Sequence, residues 1–205
     1  MKSYELATLS TVIFGAGKAA PGIQAYLADT QAKGKLVGAW TSDIGQLNQI
    51  YLLREFDSEA DLIAERKRAR LSSNPFGCTE FLTGLEMDSY VPLDFMPPVE
   101  TGAFGPFYEI RTYVTKIDGL SPTQEKWREA VPVRSKYSRL TIAMYSLDGG
   151  SRFTQIWPYA SLDERHAVRG KSVAEGAWPP KGGPDWLTTD MRSTIALPMA
   201  FSPLK

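Results

Sequence analysis

The 205-residue sequence has few of the side chains that disulfides, metal sites and membrane anchors require. It contains one cysteine, Cys78, and one histidine, His166, so an internal disulfide and a paired Cys/His metal site are both excluded. There is no run of 18 apolar residues, and the first residues lack an apolar segment flanked by basic ones. We therefore expect a soluble cytoplasmic protein without membrane insertion.

An excess of charge of one sign is also missing. The 23 Lys and Arg residues balance 23 Asp and Glu residues, so the net charge is zero. A neutral chain exerts no long-range attraction on a polyanion, and we expect no nucleic-acid partner. The glycine-rich loops and nucleophile motifs of nucleotide-binding proteins and hydrolases are absent as well. We therefore expect no cofactor.

The most informative feature that is present is an internal duplication with an offset of about 104 residues. Residues 4–15 align with residues 108–119, and six of these twelve positions are identical. Further along, Gln49-Ile50-Tyr51 aligns with Gln155-Ile156-Trp157 after a slip of two residues. The period is too long for a solenoid or propeller array. It predicts two similar units in one chain.

Each half carries the same series of structural signals. An alternating stretch at 3–13 and again at 107–117 predicts a strand. Pro21 and Ser121-Pro122 then mark the starts of helices, and Pro132 limits or kinks the second of them. A hairpin follows in both halves. Ser58 and Ser161 open a second helix with matching capping boxes, and a last strand closes each unit.

The order strand, helix, strand, strand, helix, strand is that of a ferredoxin-like unit. Two such units with helices on one face must cover two bare sheet faces. We predict an α+β fold in which two ferredoxin-like βαββαβ repeats, 1–98 and 106–205, pack sheet to sheet as a pseudodimeric α+β barrel. Whether the barrel closes within one chain or between chains stays open, and a homo-oligomer is one possibility.

Three segments of the second half resemble the NIPSNAP family, namely Tyr108 to Tyr113, Trp157-x-Tyr159-x-Ser161 and Arg165-x-x-x-Arg169. The resemblance extends over essentially the whole chain as two NIPSNAP-like repeats. It implies the dimeric α+β barrel fold, and it assigns no catalytic residue. The first repeat departs from the pattern, for example with Ala7 at the position of Arg111.

Strand alternation in the second half separates an apolar set of side chains from a polar and aromatic set. We expect the apolar set to pack against helices and the polar set to line a ligand cavity inside the barrel. With its counterpart Glu5 from the first half, this predicted ligand pocket consists of Glu5, Glu109, Arg111, Tyr113, Tyr145, Gln155, Trp157 and Tyr159.

Glu5 and Glu109 are the sharpest candidates, because a carboxylate inside a barrel must pair with a cation or acquire a raised pKa. Arg111 is the expected cation for Glu109. A structural ion pair, a contact to a polar ligand and a proton-transfer role all fit this pattern. Arg165 and Arg169 fit either packing at the sheet edge or binding of an anion.

The favoured function is the binding of a small polar or aromatic ligand, or an interaction module. The alternative is a cofactor-independent enzyme, similar to a monooxygenase or isomerase, that uses Glu109, Arg111 and nearby tyrosines in the same cavity. A third reading makes His166 a haem ligand, although a single histidine on a charged helix is usually solvated.

Overall fold

The computed structural model describes residues 2–205, which form eight strands and four α-helices besides three short 3₁₀ segments. The first repeat comprises β1 (Ser3–Thr11), α1 (Gly15–Leu27), β2 (Lys35–Ile44), β3 (Gln49–Phe56), α2 (Glu59–Leu71) and β4 (Leu82–Pro92). The second comprises β5 (Phe107–Thr115), α3 (Leu120–Arg134), β6 (Ile142–Ser146), β7 (Arg152–Tyr159), α4 (Leu162–Ala174) and β8 (Leu187–Pro198). The predicted element order thus occurs twice. Met1, with which the first predicted repeat begins, lies outside the described residues.

All eight strands form one closed antiparallel barrel in the order β1-β3-β2-β8-β5-β7-β6-β4, and β4 pairs with β1. The two repeats meet at two strand junctions. Trp40 of β2 pairs with Pro198 of β8, and Tyr90 of β4 pairs with Ser146 of β6. The predicted α+β barrel is confirmed, and it closes within one chain because each repeat supplies half of the wall.

The two predicted capping boxes form as the sequence indicates. The Ser58 hydroxyl accepts a hydrogen bond from the backbone N–H of Asp61 at 3.1 Å, and the Ser161 hydroxyl accepts one from Glu164 at 3.0 Å. These bonds satisfy backbone donors that the first turn of a helix leaves free. None of the helices within residues 2–205 combines the length and apolarity needed to cross a bilayer.

The other two helices start earlier than predicted. α1 begins at Gly15 and contains Pro21 in its middle, where a proline normally disfavours a helix. Its buried residues Ala19, Ile23 and Tyr26 have helical spacing and pack on the sheet, so tertiary packing outweighs the proline. α3 begins at Leu120 without a side-chain cap, and it ends soon after Pro132.

Strand alternation divides the barrel into an inner core and two outer cores. Leu6 of β1 and Ile110 of β5 belong to the inner cluster, together with Tyr90 and Ile156. The side chains that alternate with them pack beneath α1 and α2 in the first repeat and beneath α3 and α4 in the second. The apolar set of the second half therefore faces inward. Its predicted packing against helices is wrong.

The linker between the repeats and the C-terminus block one end of the barrel. Val99 and Phe104 from the linker and Leu204 from the C-terminus pack on the inner cluster. Backbone hydrogen bonds hold the two segments together, including the one from Gly102 N–H to the Pro203 carbonyl at 3.1 Å. No segment of residues 2–205 plugs the opposite end of the barrel in this way.

Candidate functional site

A cavity of about 440 Å³ lies inside the barrel at the end away from the linker. Ser10 and Val114 line it near the ends of β1 and β5, and Gln49 and Arg152 line it at the starts of β3 and β7. Its volume is in the range of small-molecule sites. The barrel interior is therefore a cavity at one end and a packed core at the other.

The floor of the cavity combines apolar side chains with a chain of hydroxyl groups. Leu6 and Ile110 supply the apolar surface. The Thr112 and Thr154 hydroxyls lie 2.9 Å apart, and the Thr154 hydroxyl donates to the Tyr90 hydroxyl at 3.2 Å. Within residues 2–205, the Tyr90 hydroxyl proton has no acceptor. The series of hydroxyl groups therefore ends at Tyr90, whose O–H group can donate a hydrogen bond to a ligand.

Two tyrosines of the cavity stay neutral far above physiological pH. Burial raises the pKa of Tyr90 to about 12, although the hydrogen bond from Thr154 works in the opposite direction. Burial also raises the pKa of Tyr51, and a hydrogen bond with Thr194 partly offsets that rise. Both hydroxyl groups therefore act as neutral hydrogen-bonding groups.

The rim of the cavity carries charges of both signs. Arg152 donates to Asp88 at 2.9 Å and to the carbonyl of Asp148 at 2.9 Å. Its buried Nε has no partner within the described part of the chain. Exposed Glu86 and Arg192 lie further out on the rim. The mouth is polar and close to neutral, so it favours no strong net charge in a ligand.

The predicted pocket residues lie on the outer face of the wall, under the helices. Glu109 of β5 is completely buried, and α4 places Arg165 and Arg169 above it. Glu5 of β1 lies beneath α2 in the same way, because Arg54 joins it to Glu65 of that helix. The polar side chains that strand alternation places on one face lie on the outer face of the wall. Their predicted direction, into the barrel, is wrong because the helices bring their own charged partners.

In the first repeat the outer network is balanced in charge. Arg54 donates to Glu5 at 2.5 Å and to Glu65 at 2.6 Å, and Arg68 donates to Glu65 at 2.7 Å. Two guanidinium groups thus face two carboxylates. Glu5, Glu65 and Arg54 have at most 1% of their side-chain surface exposed. The network fixes α2 on the sheet.

The second repeat assembles a different network around Glu109. Its carboxylate accepts hydrogen bonds from Arg111 and Arg165, each at 2.5 Å, and from Ser193 at 2.8 Å. Arg169 approaches the other carboxylate oxygen at 3.6 Å. Burial alone would raise the pKa of Glu109, but the surrounding guanidinium groups outweigh it and lower that pKa to about 2. Glu109 is therefore an ionised anchor and a poor base.

The NIPSNAP family model matches residues 4–82 and 108–203 of the chain. The chain belongs to the NIPSNAP family. The first match covers β1 to α2 of the first repeat, and the second covers nearly all of the second repeat, so the resemblance noted in the sequence is confirmed. No protein with a curated description is significantly similar to the chain in sequence.

Solved structures with the same barrel include an anthrone oxidase-like protein, with a TM-score of 0.71 and 11% identity over 100% of this chain and 94% of that one. A protein from Lactobacillus acidophilus NCFM proposed to be a monooxygenase has a TM-score of 0.67 and 10% identity, over 96% and 93% of the two chains. At such identities the likeness shows the fold alone. A NIPSNAP family protein from Agrobacterium tumefaciens str. C58 is 26% identical over 50% of this chain and 96% of its own, with a TM-score of 0.45.

The remaining predicted pocket residues also lie on the outer face of the second NIPSNAP repeat. Trp157 donates to the side-chain carbonyl of Gln155 at 2.8 Å. Tyr113 receives a short hydrogen bond from the Nε of Arg111. Tyr145 and Tyr159 pack in the aromatic cluster beneath α3 and α4. The structure thus brings most of the predicted set together, outside the cavity.

Sequence analysis missed the residues that do line the cavity, above all Tyr90, Thr112 and Arg152. One signal was available, because Thr8 and Thr112 are identical between repeats and alternate with the charged set. His166 is exposed on α4. Within residues 2–205, no group of three His, Cys, Asp or Glu side chains could hold a metal ion.

Proposed function

We propose that the barrel cavity binds a small polar or aromatic molecule that carries a hydrogen-bond acceptor. The proposal rests on one observation, namely that a cavity of about 440 Å³ has a hydroxyl donor on its floor. Cavities of this size are typical ligand sites. Most of the lining side chains here carry polar groups, which orient a ligand, and Leu6 and Ile110 offer it an apolar floor.

The ligand enters through the open end and places its acceptor on Tyr90. The apolar body then lies against Leu6 and Ile110, where it removes apolar surface from water. The ion pair between Asp88 and Arg152 stays at the mouth and contacts the part of the ligand nearest to solvent. A neutral ligand suits this lining better than a charged one.

The enzymatic alternative has less support from the arrangement of side chains. Its proposed base, Glu109, lies outside the cavity with a pKa of about 2. On the cavity side, Asp88 is paired with Arg152. Two further carboxylates, Glu86 and Asp190, lie at the exposed rim, so within residues 2–205 a carbon acid bound on the floor would meet hydroxyl groups first.

The test uses a neutral ketone fluorophore, 6-propionyl-2-(dimethylamino)naphthalene, whose emission shifts to the blue in apolar surroundings. We expect saturable binding. Filling the cavity by Thr112→Phe should weaken it at least about tenfold, since a phenyl ring takes up space that the ligand needs. The matched control is Thr83→Phe, which places the same ring at an exposed position of β4.

A second arm examines the donor on the floor. Tyr90→Phe removes the hydroxyl and should weaken the ketone while leaving N-phenyl-1-naphthylamine, which lacks a carbonyl, nearly unchanged. Failure of the ketone to bind, or equal binding by the Thr112→Phe and wild-type proteins, would overturn the proposal. Native mass spectrometry of the purified protein then reports any ligand carried from the cell.

A further inference from the structure

The outer network of the second repeat carries more positive charge than its carboxylate can neutralise. Arg111, Arg165 and Arg169 all lie within 4 Å of Glu109, so three guanidinium groups surround one carboxylate. Arg134 adds a fourth cation close enough for its charge to interact with Glu109, and it has no salt bridge within residues 2–205. The first repeat holds two cations and two carboxylates at the corresponding place. The excess is therefore a property of one repeat.

Arg169 differs from its counterpart in the first repeat. Arg66, at the same distance from its helix cap, donates to Ser89, to the carbonyl of Met87 and to Asp148. Among the described residues, the side chain of Arg169 makes no hydrogen bond at all, and its nearest carboxylate oxygen is 3.6 Å away. An arginine has five N–H donors, so Arg169 holds unused binding capacity.

Buried donors around the network also lack acceptors. Gln155 lies directly opposite Arg111 on the neighbouring strand and is 2% exposed, and its Nε2 has no partner in the described chain. Within residues 2–205, the Nε of Arg165 is also without a hydrogen-bond partner, and so is one acceptor of the network, the Oε2 of Glu109. Buried donors are normally satisfied, so the free N–H groups of Gln155 and Arg165 add to the capacity of the network for a partner with several acceptors.

The network is open to solvent from the side of β8. The arginine side chains retain 16% to 32% of their exposure, and Ser193 beside them is exposed. In the first repeat, by contrast, Met87 and Ser89 of β4 are buried, and both accept hydrogen bonds from Arg66. A small ion can therefore reach the second network and is kept from the first.

We propose that Arg111, Arg165 and Arg169 form a binding site for a phosphate monoester or inorganic phosphate. Three guanidinium groups against one carboxylate leave an excess of two positive charges. A phosphate carries a charge of about −1.5 to −2 at pH 7 and has acceptor oxygens for several donors, which matches this excess. A monocarboxylate would neutralise half of it. The site is separate from the barrel cavity, on the other face of the wall.

The experiment is a calorimetric titration with inorganic phosphate at pH 7.5 and low ionic strength, where screening is weak. We expect one phosphate per chain and at least about tenfold weaker binding by Arg169→Gln, which removes charge-assisted hydrogen bonds. The matched control is Lys171→Gln, which removes the same charge from an exposed position of the same helix. Arg66→Gln is the equivalent change in the first repeat. Both controls should bind within about twofold of the wild type.

Two further arms test the charge of the ligand. At pH 5 phosphate becomes a monoanion, so its affinity should fall several-fold while that of sulfate stays constant. Acetate should bind far more weakly than phosphate at pH 7.5. The proposal is overturned if phosphate does not bind at millimolar concentration, if acetate binds equally well, or if Lys171→Gln weakens binding as much as Arg169→Gln. Circular dichroism confirms that each variant is folded.

Discussion

Glu5 of β1 and Glu109 of β5 occupy equivalent positions in the two repeats, and both carboxylates are completely buried beneath a helix. Their cross-strand neighbours differ. Glu5 lies opposite Arg54, whereas Glu109 lies opposite Trp157. The cations for Glu109 come instead from its own strand and from α4. One buried acidic position is thus neutralised in two ways.

Glu109→Gln should destabilise the protein because it leaves three guanidinium groups around a neutral amide. The pKa of Glu109 is lowered from 4.5 to about 2, which corresponds to about 3 kcal/mol of stability at pH 7. This contribution is complete above pH 4.5 and disappears as the pH falls toward 2. Urea denaturation at pH 7, 4 and 3 should show the difference from the wild type shrinking in that order.

The control for this variant is Glu129→Gln, since Glu129 is largely exposed on α3. It should change the free energy of unfolding by less than about 0.5 kcal/mol. A Glu109→Gln protein with the stability of the wild type at pH 7 would contradict the assigned role.

Arg54→Met should cost about 3 to 5 kcal/mol, because it leaves two buried carboxylates without their shared cation. Adding Glu5→Gln to this variant should restore part of the loss, since one uncompensated charge is then removed. Urea denaturation of the single and double variants completes a double-mutant cycle. Strictly additive effects would show that the two side chains are independent.

Gly22→Ala and Gly17→Ala, both in α1, should have opposite effects on the melting temperature. A Cβ at Gly22 would lie 2.0 Å from the carbonyl oxygen of Gly77, so the helix or the loop must move. A Cβ at Gly17 meets nothing within 4 Å, and alanine there should add about 0.5 to 1 kcal/mol through helix propensity. Thermal denaturation of both variants checks the sign. A stabilised Gly22→Ala protein would exclude the close contact of α1 with Gly77.

The second repeat produced alone, as residues 106–205, should self-associate. Separation exposes the inner face, which includes Tyr108, Ile110 and Ile156, and it leaves the edges of β6 and β8 unpaired. Light scattering coupled to size-exclusion chromatography should give a mass of at least two copies. A folded monomer would mean that the inner face tolerates water.

Local signals predicted the elements well. The capping boxes at Ser58 and Ser161 involve atoms three residues apart, so the sequence contains the whole interaction. The start of α1 depends instead on the packing of Ala19 and Ile23 against a distant sheet. Residue preference at Pro21 therefore pointed to the wrong boundary.

The direction of the polar face was not predictable from alternation, which groups side chains without saying what covers them. Polar residues around Glu109 suggested a wet interior, yet the helix that covers them supplies Arg165 and Arg169. The slip in the alignment added a second error. In the barrel, Leu53 pairs with Leu6 and Ile156 pairs with Ile110, so Leu53 and Ile156 are equivalent. Counting back along both strands, Gln49 corresponds to Arg152 and not to Gln155. An odd shift of three residues exchanges the two faces of a strand.

Because the barrel closes within one polypeptide, its cavity does not have to be two-fold symmetric. A barrel made from two identical chains must present every lining side chain twice, at positions related by the axis. Here Gln49 faces the cavity from one half where Arg152 does so from the other, and Tyr51 corresponds to Thr154. A single substitution therefore changes the cavity lining on one side only. The cavity can also distinguish the two ends of an unsymmetrical ligand.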